Sequence, residues 1–173
     1  MITLEEIKEY FGKEGRTFPE ATEVNDRLPE KTKQILYKIG LPNYSGYGGD
    51  YITLDRLEII NNRYLKYGTR KRDSEYYREC IDMFTGEIVF NLNYKGDNNE
   101  YHFWNSNLEA YLKYVYTYTK YVNELEIPQK LGDYYKNHSK YAKELKRQFL
   151  QINKDVENGC WANLIEEMDL GVI

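Results

Sequence analysis

Apolar residues recur at helical spacing in two stretches of the first forty residues. The stretches 4–11 and 30–39 each carry one apolar side, and both are predicted to be helices. Thr3 and Glu6 match a capping box in front of the first helix. Gly40 comes directly after the second helix, where glycine commonly ends a helix. The apolar side of this second helix consists of Ile35, Leu36 and Ile39.

From residue 51 to about 104 the apolar period shortens to about two, which predicts β-strands. Residues 87–92 alternate in this way, with Ile88, Phe90 and Leu92 on the side expected to be strongly buried. Turn-forming residues at 95–100 separate two strands, and the glycine-rich residues 43–50 are expected to form a flexible turn. The pattern predicts an antiparallel β-meander with an open face.

Helical spacing returns after the predicted strands. Ser106 and Glu109 match a second capping box, and the helix that follows should end before Pro128. A long helix is predicted from about 138 to 157, and a short terminal helix follows it. Trp161 begins the apolar side of this last helix and is therefore expected to be largely buried.

The order of these elements predicts an α+β protein, with N-terminal and C-terminal helices packed on a meander sheet. At 173 residues and 41% apolar content, with no internal repeat and no linker, the chain is expected to be a single domain, 1–173. No apolar run approaches the roughly 18 residues of a membrane span. Residues 1–9 contain three glutamates and no apolar block, so no signal peptide is predicted. Two widely separated cysteines favour a reducing, cytoplasmic setting.

The net charge of −4 is spread evenly along the chain, with no basic half and no acidic tail. A nucleic-acid-binding protein normally carries a basic stripe, so nucleic acid is not expected as a partner. The basic run 70–72 is followed by Asp73 and Glu75 and is interpreted as a solvated turn. Mild acidity favours association with basic partners.

Residues that could carry chemistry are few and scattered: His102, His138, Cys80 and Cys160. Cys80 lies in a predicted strand and is interpreted as a buried, unreactive thiol. The spacing of these residues fits no metal site, and residues 46–49 lack the lysine of a phosphate-binding loop. Asp82 is interpreted as a carboxylate on the sheet surface. We therefore expect no catalysis, no metal and no cofactor.

Several short segments occur in an order that resembles a known family. They are Leu28-Pro29, Ile39 to Pro42, Tyr64 to Gly68, Cys80 to Asp82, Thr85 to Val89, Trp104 to Leu108, and Trp161 to Glu167. This order is similar to that of the SUKH superfamily, the Smi/Knr-like immunity proteins of bacterial polymorphic toxin systems, and most similar to its fourth subgroup.

The resemblance implies an immunity protein without chemistry of its own. Such a protein binds and neutralises a toxin domain, for example a nuclease or a deaminase, in the cytoplasm of the cell that makes it. The matched segments are core and turn positions, so the resemblance assigns no functional residue. Two alternatives stay open: a scaffold of the same fold that recruits a cellular partner, and a single-strand nucleic-acid binder that stacks bases on Tyr101, Phe103 and Trp104.

The chain contains 19 tyrosines, which suit either amphipathic packing under a biased composition or a contact surface. Two glycine- or asparagine-rich loops combine carboxylates with neighbouring tyrosines. We predict that they bind a basic toxin domain, through Tyr44, Tyr47, Asp50, Asp97, Asn98 and Glu100. The alternative for both segments is a plain connecting turn.

Overall fold

The computed structural model describes residues 1–12, 15–46, 49–72, 75–92, 100–125 and 131–173. The helices in these ranges are α1 (Leu4–Phe11), α2 (Glu30–Gln34, continued by a π-helical turn at Ile35–Ile39), α3 (Leu108–Leu125), α4 (Leu131–Leu150) and α5 (Gly159–Leu170). The strands are β1 (Tyr44–Gly46), β2 (Gly49–Ile60), β3 (Tyr64–Arg72), β4 (Glu75–Asp82), β5 (Ile88–Leu92) and β6 (Tyr101–Asn105). The predicted α+β class is confirmed.

The chain divides into two compact units, Met1–Tyr111 and Leu112–Ile173, and the boundary falls inside α3. The first unit contains the sheet, α1, α2 and the first residues of α3. The second contains the rest of α3 together with α4 and α5. One domain over 1–173 stays a prediction.

The six strands form one antiparallel sheet in which each strand pairs with the next along the chain. The predicted meander is confirmed, but the sheet begins earlier than expected. Residues 43–50, expected to form a flexible turn, contain β1 and the first residues of β2. Tyr44 lies opposite Tyr51 in this pair, and their rings stack with centroids 5.2 Å apart. Such a cross-strand aromatic pair stabilises strands despite the neighbouring glycines.

A β-bulge in β3 changes which side chains face the core. The register with β4 shifts between Lys66 and Gly68. Because a bulge inserts one extra residue, the alternation of side chains is reversed beyond it. Gly68 also makes room for an aromatic ring: a Cβ atom there would lie 2.7 Å from Cζ of Tyr51, too close for any carbon–carbon contact. The glycine is required by this close approach.

Strand β5 is buried on both faces, so the expectation of one strongly buried face is wrong. Ile88 is fully buried, but Val89 and Asn91 on the opposite face are only 6% and 3% exposed. These two residues lie opposite Phe103 and Tyr101 of β6, whose large side chains cover this face. The Asn91 side-chain amide donates to the backbone carbonyl of residue 100 at 2.9 Å, which satisfies a buried polar group.

The predicted ends of the first helices are present. Thr3 Oγ1 accepts from the backbone N–H of Glu6 at 3.2 Å, and the Glu6 carboxylate accepts from the backbone N–H of Thr3 at 2.7 Å. This is the capping box in front of α1. Gly40 ends the second helix at φ +91°, and the apolar side expected for that helix is buried.

In the second unit, the prediction of a helix over 138–157 is wrong at both ends. Helix α4 starts seven residues earlier, at Leu131, and ends at Leu150. Beyond the helix end, the Asn153 side chain accepts from the backbone N–H of Asp155 at 2.9 Å, a local bond that competes with helix continuation. Trp161 at the start of α5 is 2% exposed, so its predicted burial is confirmed.

Candidate functional site

The most unusual polar feature of the first unit is an arginine inside the core. Arg70, interpreted from the sequence as part of a solvated turn, lies in β3 and is 1% exposed, so that interpretation is wrong. The bulge at Gly68 reverses the alternation and turns Arg70 inward. The isolated glycine in a strand-like segment is the sequence signal that indicates such a bulge.

Arg70 is paired with the equally buried Glu79 of β4. Arg70 Nε donates to Glu79 Oε1 at 2.7 Å, and the Glu79 side chain has no exposed surface. The hydroxyl of Tyr111 donates to Glu79 Oε2 at 2.7 Å, and the Tyr67 hydroxyl approaches the same oxygen at 3.4 Å. The carboxylate is thus surrounded by donors, as a buried charge requires.

Tyr44 of β1 joins the same cluster, and its bonds have a defined direction. Its hydroxyl accepts from Arg70 Nη2 and lies 2.6 Å from the hydroxyl of Tyr111. Because Tyr111 gives its proton to Glu79, the proton between the two hydroxyls must come from Tyr44. The hydrogen bonds therefore run from Arg70 through Tyr44 and Tyr111 to Glu79. We call these four residues the Arg70 cluster.

Burial keeps the hydroxyls of the Arg70 cluster protonated. It raises the pKa of Tyr44 to about 12, with Arg70 opposing the shift, and raises the pKa of Tyr111 well above its usual value. For Arg70, burial alone would lower the pKa, but Glu79 together with Tyr44 and Tyr111 more than offsets this, and the pKa is raised. Arg70 also lies over the Trp104 ring, with Cζ 4.8 Å from its centroid. These groups bond to one another and hold β1, β3, β4 and α3 together.

The predicted partner-binding residues lie in different surroundings. Tyr44 is half-buried and directs its hydroxyl into the Arg70 cluster. Asp50 is exposed on β2, in register with Lys71 of β3. Glu100 is exposed directly before β6. Three further predicted residues lie outside the described residues: Tyr47, Asp97 and Asn98.

The sheet register brings Asp50 and Glu100 to the same end of the strands. Asp50 shares a row, and therefore a face of the sheet, with the exposed residues Lys71 and Tyr76, whereas the position of Glu100 falls in the adjacent row, which points to the other face. The two carboxylates belong to β2 and the start of β6, which are four strand spacings apart, or roughly 19 Å in a flat sheet. Tyr76 between them is 50% exposed, and sequence reasoning missed it. We call Asp50, Tyr76 and Glu100 the strand-end surface.

The structure gives the surroundings of three residues considered for chemistry: Cys80, Asp82 and His138. Cys80 is fully buried, so its predicted burial is confirmed, and burial raises the pKa of its thiol to about 12, which favours the protonated thiol. Asp82, interpreted as a surface carboxylate, is 2% exposed, so that interpretation is wrong. Burial alone would raise the pKa of Asp82, but Arg63, which donates to it at 2.6 and 2.9 Å, and the backbone N–H of Phe84 together lower it. His138 Nδ1 lies 2.8 Å from the backbone carbonyl of Asp169.

The aromatic residues considered for base stacking are partly occupied. Trp104 is 4% exposed and lies against Arg70, and the Tyr101 ring stacks on Tyr64 with centroids 3.6 Å apart. Two of the three proposed platforms therefore already have partners inside the protein.

Within the described residues, no group of three or more His, Cys, Asp or Glu side chains is placed to hold a metal ion. None of the helices in the same residues is long and apolar enough to cross a bilayer. Comparison of the chain with protein-family models, with curated proteins and with solved structures gives no match. The resemblance to the SUKH superfamily stays a prediction that depends on the order of its short motifs.

Proposed function

We propose that this protein is an immunity protein that binds a basic toxin domain through the strand-end surface. The observation that supports the proposal is the contrast between buried and exposed charges. The buried charges of Arg70 and Glu79 pair with each other. The carboxylates of Asp50 and Glu100 are exposed at one end of the sheet, where Asp50 lies on the same face as the exposed ring of Tyr76.

Such a surface suits recognition of a basic protein. Carboxylates at the rim of an interface speed association with a partner of opposite charge, and tyrosine supplies contact area at low entropic cost. The separation of roughly 19 Å between the two carboxylates fits within an interface that buries about 800 Å² on each partner.

The Arg70 cluster positions the β1–β2 hairpin, which carries Asp50 of the strand-end surface. Tyr44 lies in β1 and Asp50 in β2, and the two strands pair directly. The bonds of Tyr44 to Arg70 and Tyr111 hold this hairpin on the sheet. Tyr44 therefore acts as an anchor that positions Asp50, a different role from the direct contact predicted from the sequence. A preordered hairpin lowers the entropy lost on binding.

The test is co-expression with the C-terminal domain of the protein encoded immediately upstream. We expect that domain to stop growth when expressed alone, and we expect the present chain to restore growth and to co-purify with it. A harmless upstream domain, or a toxic domain that neither binds the chain nor is neutralised by it, would contradict the immunity function. If the chain restores growth without binding the toxic domain and co-purifies with a cellular protein, that result would favour the scaffold alternative.

Charge variants test the site separately from the function. Asp50→Lys should slow association with the toxin domain and reduce the dependence of the association rate on salt. Tyr76→Ala should weaken affinity by about 1–2 kcal/mol. Asp26→Lys is the matched control, because Asp26 is exposed in the same unit but lies next to Arg27, which bonds to Asn62 at the opposite end of β2. Equal association rates for both lysine variants and the unmodified chain would overturn the assignment of the site and leave the function standing.

A further inference from the structure

A groove lies between the last turns of α3 and the middle of α4, inside the second unit. Its volume is about 650 Å³, within the range of sites that bind small ligands or a few side chains of a peptide. The surface of the groove is mainly apolar. Its lining residues are Tyr121, Leu125, Lys140, Tyr141, Lys143, Glu144 and Arg147.

The apolar part of the groove is fixed by a bond between the two helices. Tyr121 is 7% exposed, and its hydroxyl donates to the backbone carbonyl of Tyr141 at 3.1 Å. Leu125 follows Tyr121 by four residues on α3, so both side chains lie on the same face of that helix. The two tyrosines and the leucine form an ordered apolar surface.

The other wall of the groove is basic. Lys140, Lys143 and Arg147 recur at helical spacing on one face of α4. Arg147 bonds to the neighbouring Glu144 at 2.7 Å, so these two charges offset each other. The two lysines are exposed, and no ion pair to either is found among the described residues.

This basic wall contrasts with the charge of the whole chain. Residues 131–150 contain five Lys or Arg and two Asp or Glu, whereas the protein carries a net charge of −4. A groove with an apolar side and two lysines complements a segment that carries both apolar and acidic side chains.

We propose that the groove between α3 and α4 is a docking site for an acidic peptide segment of a partner protein. One apolar side chain of that segment packs against Tyr121, Leu125 and Tyr141. Carboxylates on either side of it pair with Lys140 and Lys143. The site is separate from the strand-end surface and does not depend on the proposed immunity function.

The probe is a fluorescein-labelled synthetic peptide in which a phenylalanine and a leucine are flanked on both sides by glutamates. Titrated with the full chain, it should show saturable anisotropy that weakens as salt is raised. Two companion peptides separate the contributions: one has alanines in place of the apolar residues, and one has glutamines in place of the glutamates. Each should bind at least about tenfold more weakly than the probe.

Lys143→Glu should weaken binding of the probe at least about tenfold. Lys146→Glu is the matched control, because it makes the same charge change on an exposed residue of α4 outside the groove. Leu125→Ala tests the apolar side without changing charge. Circular dichroism should show the same helix content in every variant compared.

Three results would overturn the proposal. The first is no saturable binding of the probe at low salt. The second is equal weakening by Lys143→Glu and Lys146→Glu, which would indicate general attraction to a basic helix. The third is displacement of the probe by a single-stranded oligonucleotide that binds more tightly than the probe and whose binding is lost in Lys143→Glu. That result would assign the groove to nucleic acid.

Discussion

Replacing Arg70 by methionine keeps most of the volume of the side chain and removes its charge. In the native protein the guanidinium bonds to Glu79 at 2.7 Å and to Tyr111 at 3.1 Å, and both members of the ion pair are at most 1% exposed. Removing one partner of a buried pair leaves the other charge without compensation, which costs about 3–5 kcal/mol. We expect Arg70→Met to lower the free energy of unfolding by this amount.

A second substitution separates lost charge pairing from lost packing. Glu79→Gln in the Arg70→Met background removes the uncompensated charge and keeps an oxygen that accepts from Tyr111. The double variant should therefore recover at least about half of the lost free energy. If packing of the arginine stem were the main contribution, the second substitution would recover nothing.

The assay is a urea titration followed by tryptophan fluorescence in a Trp161→Phe background. The remaining tryptophan, Trp104, has its ring 4.8 Å from Arg70 Cζ and so reports on the cluster. Arg56→Met is the control, because Arg56 is exposed on β2 and its loss should change stability by less than about 0.5 kcal/mol. A loss below about 1 kcal/mol for Arg70→Met would refute the assignment of a stabilising buried pair.

Gly68→Ala should lower the free energy of unfolding by about 1–3 kcal/mol, because its new methyl group collides with the Tyr51 ring. Gly15→Ala is the control, because the nearest contact of its new methyl group is at 3.8 Å. Equal melting curves for the two variants would contradict the steric argument. Trp161→Ala should cost about 3–5 kcal/mol in a denaturant titration, and a change below about 1 kcal/mol would show that the burial of this ring contributes little. Because burial raises the pKa of Tyr44 above its unfolded value of about 10, the stability that this residue contributes is fully present below pH 10 and is lost as pH rises toward 12. Absorbance at about 295 nm should show the buried tyrosines ionising together with unfolding, and complete ionisation near pH 10 in a folded protein would contradict this.

Local signals in the sequence predicted the parts of the fold that depend on local chemistry. The capping box at Thr3 and the terminating glycine at Gly40 involve residues close in the chain, so their geometry follows from residue type alone. The apolar side of α5 was recognised in the same way, and Trp161 is buried as predicted. The apolar period also predicted the strands, and their order in the sheet is the order in the sequence because each strand pairs with the next one.

The parts that sequence reasoning missed depend on contacts between distant residues. Arg70 is buried because one bulge changes the direction of its side chain and because Glu79 and Tyr111 surround it. In the sequence, Arg70 is followed by two more basic residues, and this local pattern does not indicate that its side chain is buried. Asp82 is similar, since it is buried where it pairs with Arg63, in the turn just before β3. The strand-end surface became visible only when the register placed Tyr76 between two carboxylates.

The meander order also has a consequence for how the first unit folds. Each strand pairs with its immediate neighbour, so every pairing closes a short loop, and sheets of this kind have low contact order for their size. Arg70 and Glu79 are nine residues apart in the β3–β4 hairpin, whereas Tyr44 and Tyr111 are 26 and 41 residues away from Arg70. The ion pair can therefore form while the chain is still largely open to water, and the two tyrosines enclose it afterwards. If the Arg70–Glu79 pair forms before the folding transition state, it slows unfolding little. The bonds of Tyr44 and Tyr111, which form after it, then govern the unfolding rate.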